Sequence, residues 1–252
     1  MKPAAMTSIR RPLYLASCVW LGILLTLFAC SPLATKGAAT WQQTQGPPGA
    51  KVNALAIDPN RPHVLYAGTS AGLFRSGDEG DSWQKPSNPE LTAQEVQAIA
   101  IARDSRVYVG THKGRVFSST DDGLSWTASS QGLPDKIIWS LAVHPWTPTL
   151  LYAGSDTLYQ SEDGGAHWTP LSPPFAGSRI TALAIHASAP QFLYVGSDKG
   201  IFRSDDGGRT WREVNQGLPA DTSVEALIVT QASVADPQLI ICAATNGGIY
   251  RS

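Results

Sequence analysis

The chain has 252 residues, with 19 Lys and Arg against 20 Asp and Glu, and only 15% of it is charged. Such a near-neutral chain without a basic block is not built to neutralise a phosphate backbone, so nucleic acid is excluded as an expected partner. Glycine (23) and proline (18) are frequent, as in chains of many short strands and turns, and the three cysteines, Cys18, Cys30 and Cys242, do not make a disulfide framework.

Lys2, Arg10 and Arg11 precede an apolar run from Leu13 to Ala29, the layout of a secretory signal. The run ends in Leu27-Phe28-Ala29-Cys30, which resembles the bacterial lipobox, Leu-x-Ala/Gly-Cys. That resemblance implies cleavage before Cys30 and a diacylglycerol on its thiol, hence membrane attachment through a lipid anchor. The alternative is an uncleaved anchor helix, because the run is near the minimum of about 17 residues for crossing a bilayer. Both readings place the rest of the chain outside the cytoplasm. The expected segments are a signal peptide over 1–29, a linker over 30–39 and a folded domain over 40–252. Cleavage removes Lys2, Arg10 and Arg11 and takes the formal charge from −1 to −4. Ser31 to Thr40 is small and polar and reaches at most about 35 Å, so the domain is expected close to the membrane.

Beyond the linker the chain repeats itself. Unit one places short apolar runs at Val52–Ile57, Leu65–Gly68 and Leu73–Ser76, with a further strand from Trp83. Unit two runs from Val96 to Trp126, unit three from Ile138 to Trp168 and unit four from Ile180 to Trp211. Each of these closes on Ser-x-Asp-x-Gly-x-Ser/Thr-Trp, with His167 in the seventh place of the third copy. The tryptophans Trp83, Trp126, Trp168 and Trp211 stand 43, 42 and 43 residues apart. A period of that size marks a propeller or a solenoid, and four short strands per unit make one propeller blade.

A fifth unit starts at Val224, continues through Ile241–Thr245 and reads Gly248-Ile249-Tyr250-Arg251-Ser252. It reaches the Ser that opens the eight-residue stretch. The missing Thr-Trp and fourth strand stand at Thr40-Trp41-Gln42-Gln43, with Trp41 42 residues ahead of Trp83. The expected fold is therefore all-β: a five-bladed β-propeller whose last blade is closed by the N-terminal strand, which leaves no open edge around the circle.

The eight-residue stretch suits a tight turn. Asp78, Asp121, Asp163 and Asp206 are expected to accept hydrogen bonds from backbone N–H groups two residues on. Gly80, Gly123, Gly165 and Gly208 supply a positive φ, and the four tryptophans pack down as apolar anchors. Metal binding by Asp121-Asp122 or Asp205-Asp206 is the competing reading. A calcium loop needs oxygen ligands at several fixed positions ending in a Glu, and that set is missing. Neither a metal nor a cofactor is expected.

From about residue 40 to 252 these repeats resemble the Asp-box (BNR) families: sialidases, sortilin-type receptors and the photosystem II assembly and stability factors. The sialidase resemblance implies three arginines around a carboxylate, a Tyr–Glu nucleophile pair, an acidic Asp and a Phe/Tyr-Arg-Ile-Pro motif before the first box. The chain instead leads into its boxes with Phe74-Arg75-Ser76, Phe202-Arg203-Ser204 and Tyr250-Arg251-Ser252, so no catalytic residue is assigned. Sortilin-type domains are larger and carry a cysteine-rich region that is not found here. The photosystem assembly factors imply an extracytoplasmic location, with a lipid anchor in cyanobacterial members, on a propeller of more blades.

A binding site would use positions where the repeats differ. The second residue of each inner strand does: Asn53, Gln97, Trp139, Thr181 and Glu225. So does the loop before each third strand, with Ser70-Ala71, His112-Lys113, Asp156, Asp198-Lys199 and Asn246-Gly247. Together they would form a polar ring with one aromatic platform, Trp139; the alternative is drift at solvent-lined positions, and His112 alone reads as a surface histidine. No metal-ligand spacing, Gly-x-Ser-x-Gly or phosphate loop occurs. The expected function is a non-catalytic, membrane-tethered, extracytoplasmic binding or assembly-scaffold protein with a membrane or extracytoplasmic protein partner. One alternative is a propeller-type, sialidase-like glycoside hydrolase using carboxylates among Glu95, Asp156, Asp198 and Glu225. Another is a carbohydrate-binding module that stacks sugar on Trp139.

Overall fold

The structure, a computed structural model, describes residues 44, 46, 47, 49–231 and 239–252, all within one compact unit, Gln43–Ser252. Apolar runs bounded by Gly, Pro and Asp fold as antiparallel meanders. Blade 1 holds β1 (Val52–Asp58), β2 (Arg61–Thr69) and β3 (Gly72–Ser76), and a single bridge, Arg75 to Gln84, stands for its fourth strand. Helix α1 (Pro89–Thr92) follows, capped by Asn88 and burying Leu91. Blade 2 holds β4 (Val96–Ile101), β5 (Val107–Thr111), β6 (Val116–Ser119) and β7 (Thr127–Ala128). Blade 3 holds β8 (Ser140–Val143), β9 (Leu151–Gly154), β10 (Leu158–Ser161) and β11 (Thr169–Pro170). Blade 4 holds β12 (Ile180–Ile185), β13 (Leu193–Ser197), β14 (Gly200–Ser204) and β15 (Arg212–Glu213). Blade 5 holds β16 (Val224–Gln231), β17 (Leu239–Thr245) and β18 (Gly248–Arg251). Each sheet keeps chain order, and the arrangement is the expected five-bladed β-propeller. The strand expected from Thr40–Gln43 lies outside the described residues, as do the signal peptide, Cys30 and the linker.

Inner strand packs on inner strand: β1 on β4, β4 on β8, β8 on β12 and β12 on β16. One device repeats at each of these junctions. A glycine in the second strand lets the backbone approach a β-branched residue that opens the next blade. A Cβ built on Gly68 would stand 2.5 Å from Val96 Cγ1, on Gly110 2.7 Å from Ile138 Cγ2, on Gly154 2.5 Å from Ile180 Cγ2 and on Gly196 2.5 Å from Val224 Cγ1. Tyr66, Tyr108, Tyr152 and Tyr194 are all buried in the same strands. Their rings reach forward: the Tyr108 hydroxyl donates to Pro148 O (3.3 Å) in blade 3, and that of Tyr152 donates to Gly207 O (3.1 Å) in blade 4. Each junction thereby encloses an apolar cluster, the first built on Tyr66, Leu73, Val96, Phe117 and Trp126. Burying side chains of this size stabilises by about 1.5–3 kcal/mol apiece.

The fifth blade breaks the rule. It carries Cys242 where the others have Tyr and Ala244 where they have Gly. Cys242 is half-buried. Among the described residues no packing comparable to the other junctions joins β16 back to β1. Leu55 (68%) and Ile57 (59%) in β1 are exposed, as are Ile228 (66%) in β16 and Ile249 (83%) in β18.

The repeated turn works as expected in kind but with a longer reach. The Asp78 carboxylate accepts from the Ser82 N–H (2.9 Å) and hydroxyl (2.6 Å), four residues on rather than two, and Ser76 Oγ donates to it at 2.8 Å. Asp121 and Asp206 repeat this with Ser125 and Thr210. In the third copy the His167 N–H (2.9 Å) and Nδ1 (2.7 Å) take the same places on Asp163. These contacts, led by the hydroxyl in three turns and by the His167 N–H in the fourth, hold each carboxyl down at about 2. The indoles of Trp83, Trp126 and Trp211 donate to the carbonyls of Gly80, Gly123 and Gly208, each at 3.0 Å. Trp168 instead donates to Ser129 O at 2.8 Å, so Gly165 has no such role. Two successive left-handed residues close each turn, and the first is Glu79 (φ 61°) in one copy and Asp122 (φ 64°) in another. Asp122 forms an ion pair with Arg61, which also holds the buried Asp58 (2.7 Å), clamping blade 1 to blade 2.

Candidate binding face at the mouth of the blades

The inner strands all begin at one face, and their first residues do not pair regularly. The register of β1, β4, β12 and β16 with their neighbours slips after the opening residue. The residues skipped are Asn53, Gln97, Thr181 and Glu225. Such bulges leave one residue out of the ladder and re-aim its side chain. In blade 3 the same position is Trp139, just ahead of β8, with its N–H on Gly154 O at 2.8 Å. The expected variable ring is thus a ring of bulge positions.

These side chains do different things. Asn53 donates to Val96 O (3.0 Å) and Glu95 Oε1 (3.2 Å), and Gln97 also donates to Glu95 Oε1 (2.9 Å). His112 Nδ1 stands 3.9 Å from the other oxygen of Glu95, and Lys113 is exposed beside it. Thr181 donates to Val224 O and to Gly196 O (3.2 Å), so its hydroxyl joins blade 4 to blade 5 and does not face a ligand. Asn246 accepts from the Ser223 N–H (3.1 Å) and likewise serves the scaffold. Lys199 is exposed, and its N–H donates to Ser197 Oγ at 3.1 Å.

Three of the expected residues come together. Trp139, Asp156 and Asp198 line one open cavity of about 440 Å³ with Lys136 and Arg179. This is within the size range of small-ligand pockets. The Arg179 guanidinium lies 5.2 Å from the centre of the Trp139 ring, within cation–π range. Arg179 also faces Glu225 at 3.9 Å. Lys136 forms an ion pair with Asp156 that raises the lysine pKa, chiefly through the hydrogen bond to the carboxylate. The second oxygen of Asp156, Oδ1, is buried without a hydrogen-bond partner among the described residues. Lys136 and Arg179 were missed from sequence. The residue just before each inner strand varies as much as the second one does: Lys51, Glu95, Ile137, Arg179 and Ser223. That column would have found Arg179.

Residues 29–250 match the DUF6242 beta propeller domain. The chain belongs to that family. No curated protein matches it. Among solved structures it is similar to the GH74 xyloglucanase from Xanthomonas campestris, at 18% identity and a TM-score of 0.65, over 84% of this chain and 37% of that one. It is similar to YCF48 from Cyanidioschyzon merolae, at 14% identity and a TM-score of 0.62, over 85% of this chain and 70% of that one. The GH74 enzyme from Niastella koreensis aligns at 19% identity and a TM-score of 0.64, over 81% of this chain and 36% of that one. The chain thus spans little more than a third of these GH74 chains, and at such identities the likeness shows the fold alone. Membership in the family agrees with the fold of the described residues. Among the described residues no three His, Cys, Asp or Glu gather as a metal site, and no helix is long and apolar enough to cross a membrane.

Proposed function

We propose that this chain is a non-catalytic binding or assembly-scaffold protein of the Asp-box (BNR) type, held outside the cytoplasm on a membrane by lipidated Cys30. It recognises a protein partner with the mouth of blades 3 to 5. The observation that carries this reading is Trp139, half-buried beside Arg179 in an open cavity with Lys136 and Asp156. Trp and Arg dominate the energetics of protein interfaces, and here they sit at the ends of rigid strands, where recognition loops usually are. A short tether raises the effective concentration at the membrane. The resemblance of the repeats to photosystem II assembly factors, and the likeness to YCF48, support a part in assembly. The test is affinity capture of the lipidated full chain from its native membrane, in parallel with Trp139→Ala. Stoichiometric recovery of a membrane protein that is lost with Trp139→Ala is expected; recovery of the chain alone would overturn the reading.

The likeness to GH74 enzymes favours a second reading, glycoside hydrolysis. It requires two carboxylates about 5–9.5 Å apart across a cleft. Asp156, Glu225 and Glu95 are each engaged by Lys136, Arg179 and the Asn53–Gln97 pair respectively, which argues for charge pairing over catalysis. Turnover of a glycoside panel that disappears in both Asp156→Asn and Glu225→Gln would support the enzyme.

A further inference from the structure

At the mouth, one guanidinium is shared between residues of two other blades. Arg179 stands just ahead of β12 in blade 4. Its guanidinium carbon lies 5.2 Å from the centre of the Trp139 ring, and its Nη2 lies 3.9 Å from Glu225 Oε1 in β16 of blade 5. The first contact is inside the cation–π reach of about 6 Å. The second is longer than a hydrogen-bonded ion pair, which closes at about 2.7–2.9 Å. Arg179 is therefore on Trp139 and about 1 Å short of Glu225.

The carboxylate and the arginine backbone are both anchored. Ser223 Oγ donates to Glu225 Oε1 at 3.3 Å. Ser223 is in turn tied to Asn246 twice, its N–H donating to Asn246 Oδ1 (3.1 Å) and its carbonyl accepting from the Asn246 N–H (3.0 Å). The Arg179 carbonyl accepts from the Asp198 N–H at 3.3 Å. The side chain of Arg179, by contrast, is 43% exposed, and that of Glu225 is 57% exposed. The guanidinium thus has room to swing on a fixed stem toward a fixed carboxylate. A cation on an exposed ring and an exposed ion pair are contacts of similar, modest strength. Neither dominates, so a small bias decides which is made.

We propose that Arg179 is a gate on Trp139 and that Glu225 is its latch. In the closed state, the one in the structure, the guanidinium covers the indole. In the open state it closes its ion pair with Glu225 and bares the ring to the cavity that both residues share with Lys136, Asp156 and Asp198. The swing needs only side-chain torsions. The gate rests on the reading of Trp139 as a recognition residue, and it sets how much of that ring a partner meets. A partner that packs on the bare ring binds the open state better and so draws Arg179 onto Glu225.

The test uses the full chain without a partner, so its outcome is told apart from that of the affinity capture. The tryptophans are replaced by 5-fluorotryptophan, and the Trp139 fluorine resonance is the one lost in Trp139→Phe. Its broadening by a neutral gadolinium chelate reads the exposure of the ring. Arg179→Ala should raise the broadening several-fold, because the ring is then always bare. Glu225→Gln should lower it about 2-fold, because the open state loses its latch. Asp198→Asn, which removes another carboxylate of the cavity, should leave it unchanged. Greater broadening in Glu225→Gln would mean that Glu225 holds Arg179 on the ring and would overturn the gate. So would broadening that Glu225→Gln leaves unchanged, or a response to Asp198→Asn as large as that to Glu225→Gln.

Discussion

The glycine at each blade junction can be tested by a single methyl group. In Gly196→Ala the new Cβ would stand 2.5 Å from Val224 Cγ1, 3.0 Å from Val224 Cβ and 3.2 Å from Ala182 Cβ. Both residues are buried, and Val224 is β-branched and stiff, so the strands must part. Overpacking of a core costs about 1–3 kcal/mol. Ala in place of Gly in a strand recovers about 0.5–1 kcal/mol of backbone entropy. From the middle of each range the net destabilisation is about 1 kcal/mol, which in a domain of this size lowers Tm by about 2–4 °C. Thermal unfolding followed by circular dichroism reads this directly. Ala244→Gly, at the same place in blade 5, should shift Tm only by the entropy cost of about 0.5–1 kcal/mol, because Ala244 is half-buried and no close approach to a following blade is found there among the described residues. Adding Val224→Ala to Gly196→Ala should cost less than the sum of the two single changes. A Gly196→Ala protein that melts at or above the parent, or strictly additive changes, would refute the close-approach argument.

Tyr152→Phe should lose about 0.5–1.5 kcal/mol with its hydrogen bond to Gly207, whereas Tyr194→Phe should be neutral in the same denaturant titration, since the Tyr194 hydroxyl has no partner among the described residues. The four turn aspartates titrate at about 2 in the folded chain against an ordinary 3.8. A depressed folded pKa gives stability that is complete above the unfolded value and is lost as pH falls through the folded one. Tm should therefore hold down to about pH 4 and drop between pH 4 and 2, and Asp121→Asn should lower Tm at pH 7 while flattening that acid limb. Cys30→Ala should abolish incorporation of labelled palmitate; unchanged labelling would favour an anchor helix. Trp139→Ala should leave Tm within about 1 °C, because half-exposed side chains away from a junction contribute little to stability.

The repeat was legible because each blade restates it: the spacing of Trp83, Trp126, Trp168 and Trp211 fixes both the period and the start of every fourth strand. The turn was legible in its residues but not in its reach, since whether a carboxylate bonds two or four residues on depends on the pair of left-handed residues between, such as Glu79 and Gly80. His167 stands in the place of the Ser or Thr, and its Nδ1 takes the position that a hydroxyl holds elsewhere. Gly196 and Tyr152 gave no hint of their work, because each acts on a blade that follows in the chain. At the mouth, side-chain variability pointed to Trp139, Asp156 and Asp198, which do share a cavity. It could not separate them from Thr181 and Asn246, whose polar groups are spent on backbone. Pattern alone does not say which way a bulged residue is aimed.

The forward reach of the tyrosines gives the assembly a direction. Tyr108 ties blade 2 to the loop of blade 3, and Tyr152 ties blade 3 to the turn of blade 4; neither bond runs backward. A blade that opens therefore strands the hydroxyl of the blade behind it and withdraws its own tyrosine from the turn of the blade ahead. Local opening in stacked repeats travels through nearest neighbours, and each of these bonds couples the two blades that it joins. Amide protons in the inner strands of blades 2 to 4, guarded on both sides, would exchange last, and those of β16, where Cys242 stands in place of the tyrosine of the other blades, would exchange among the first.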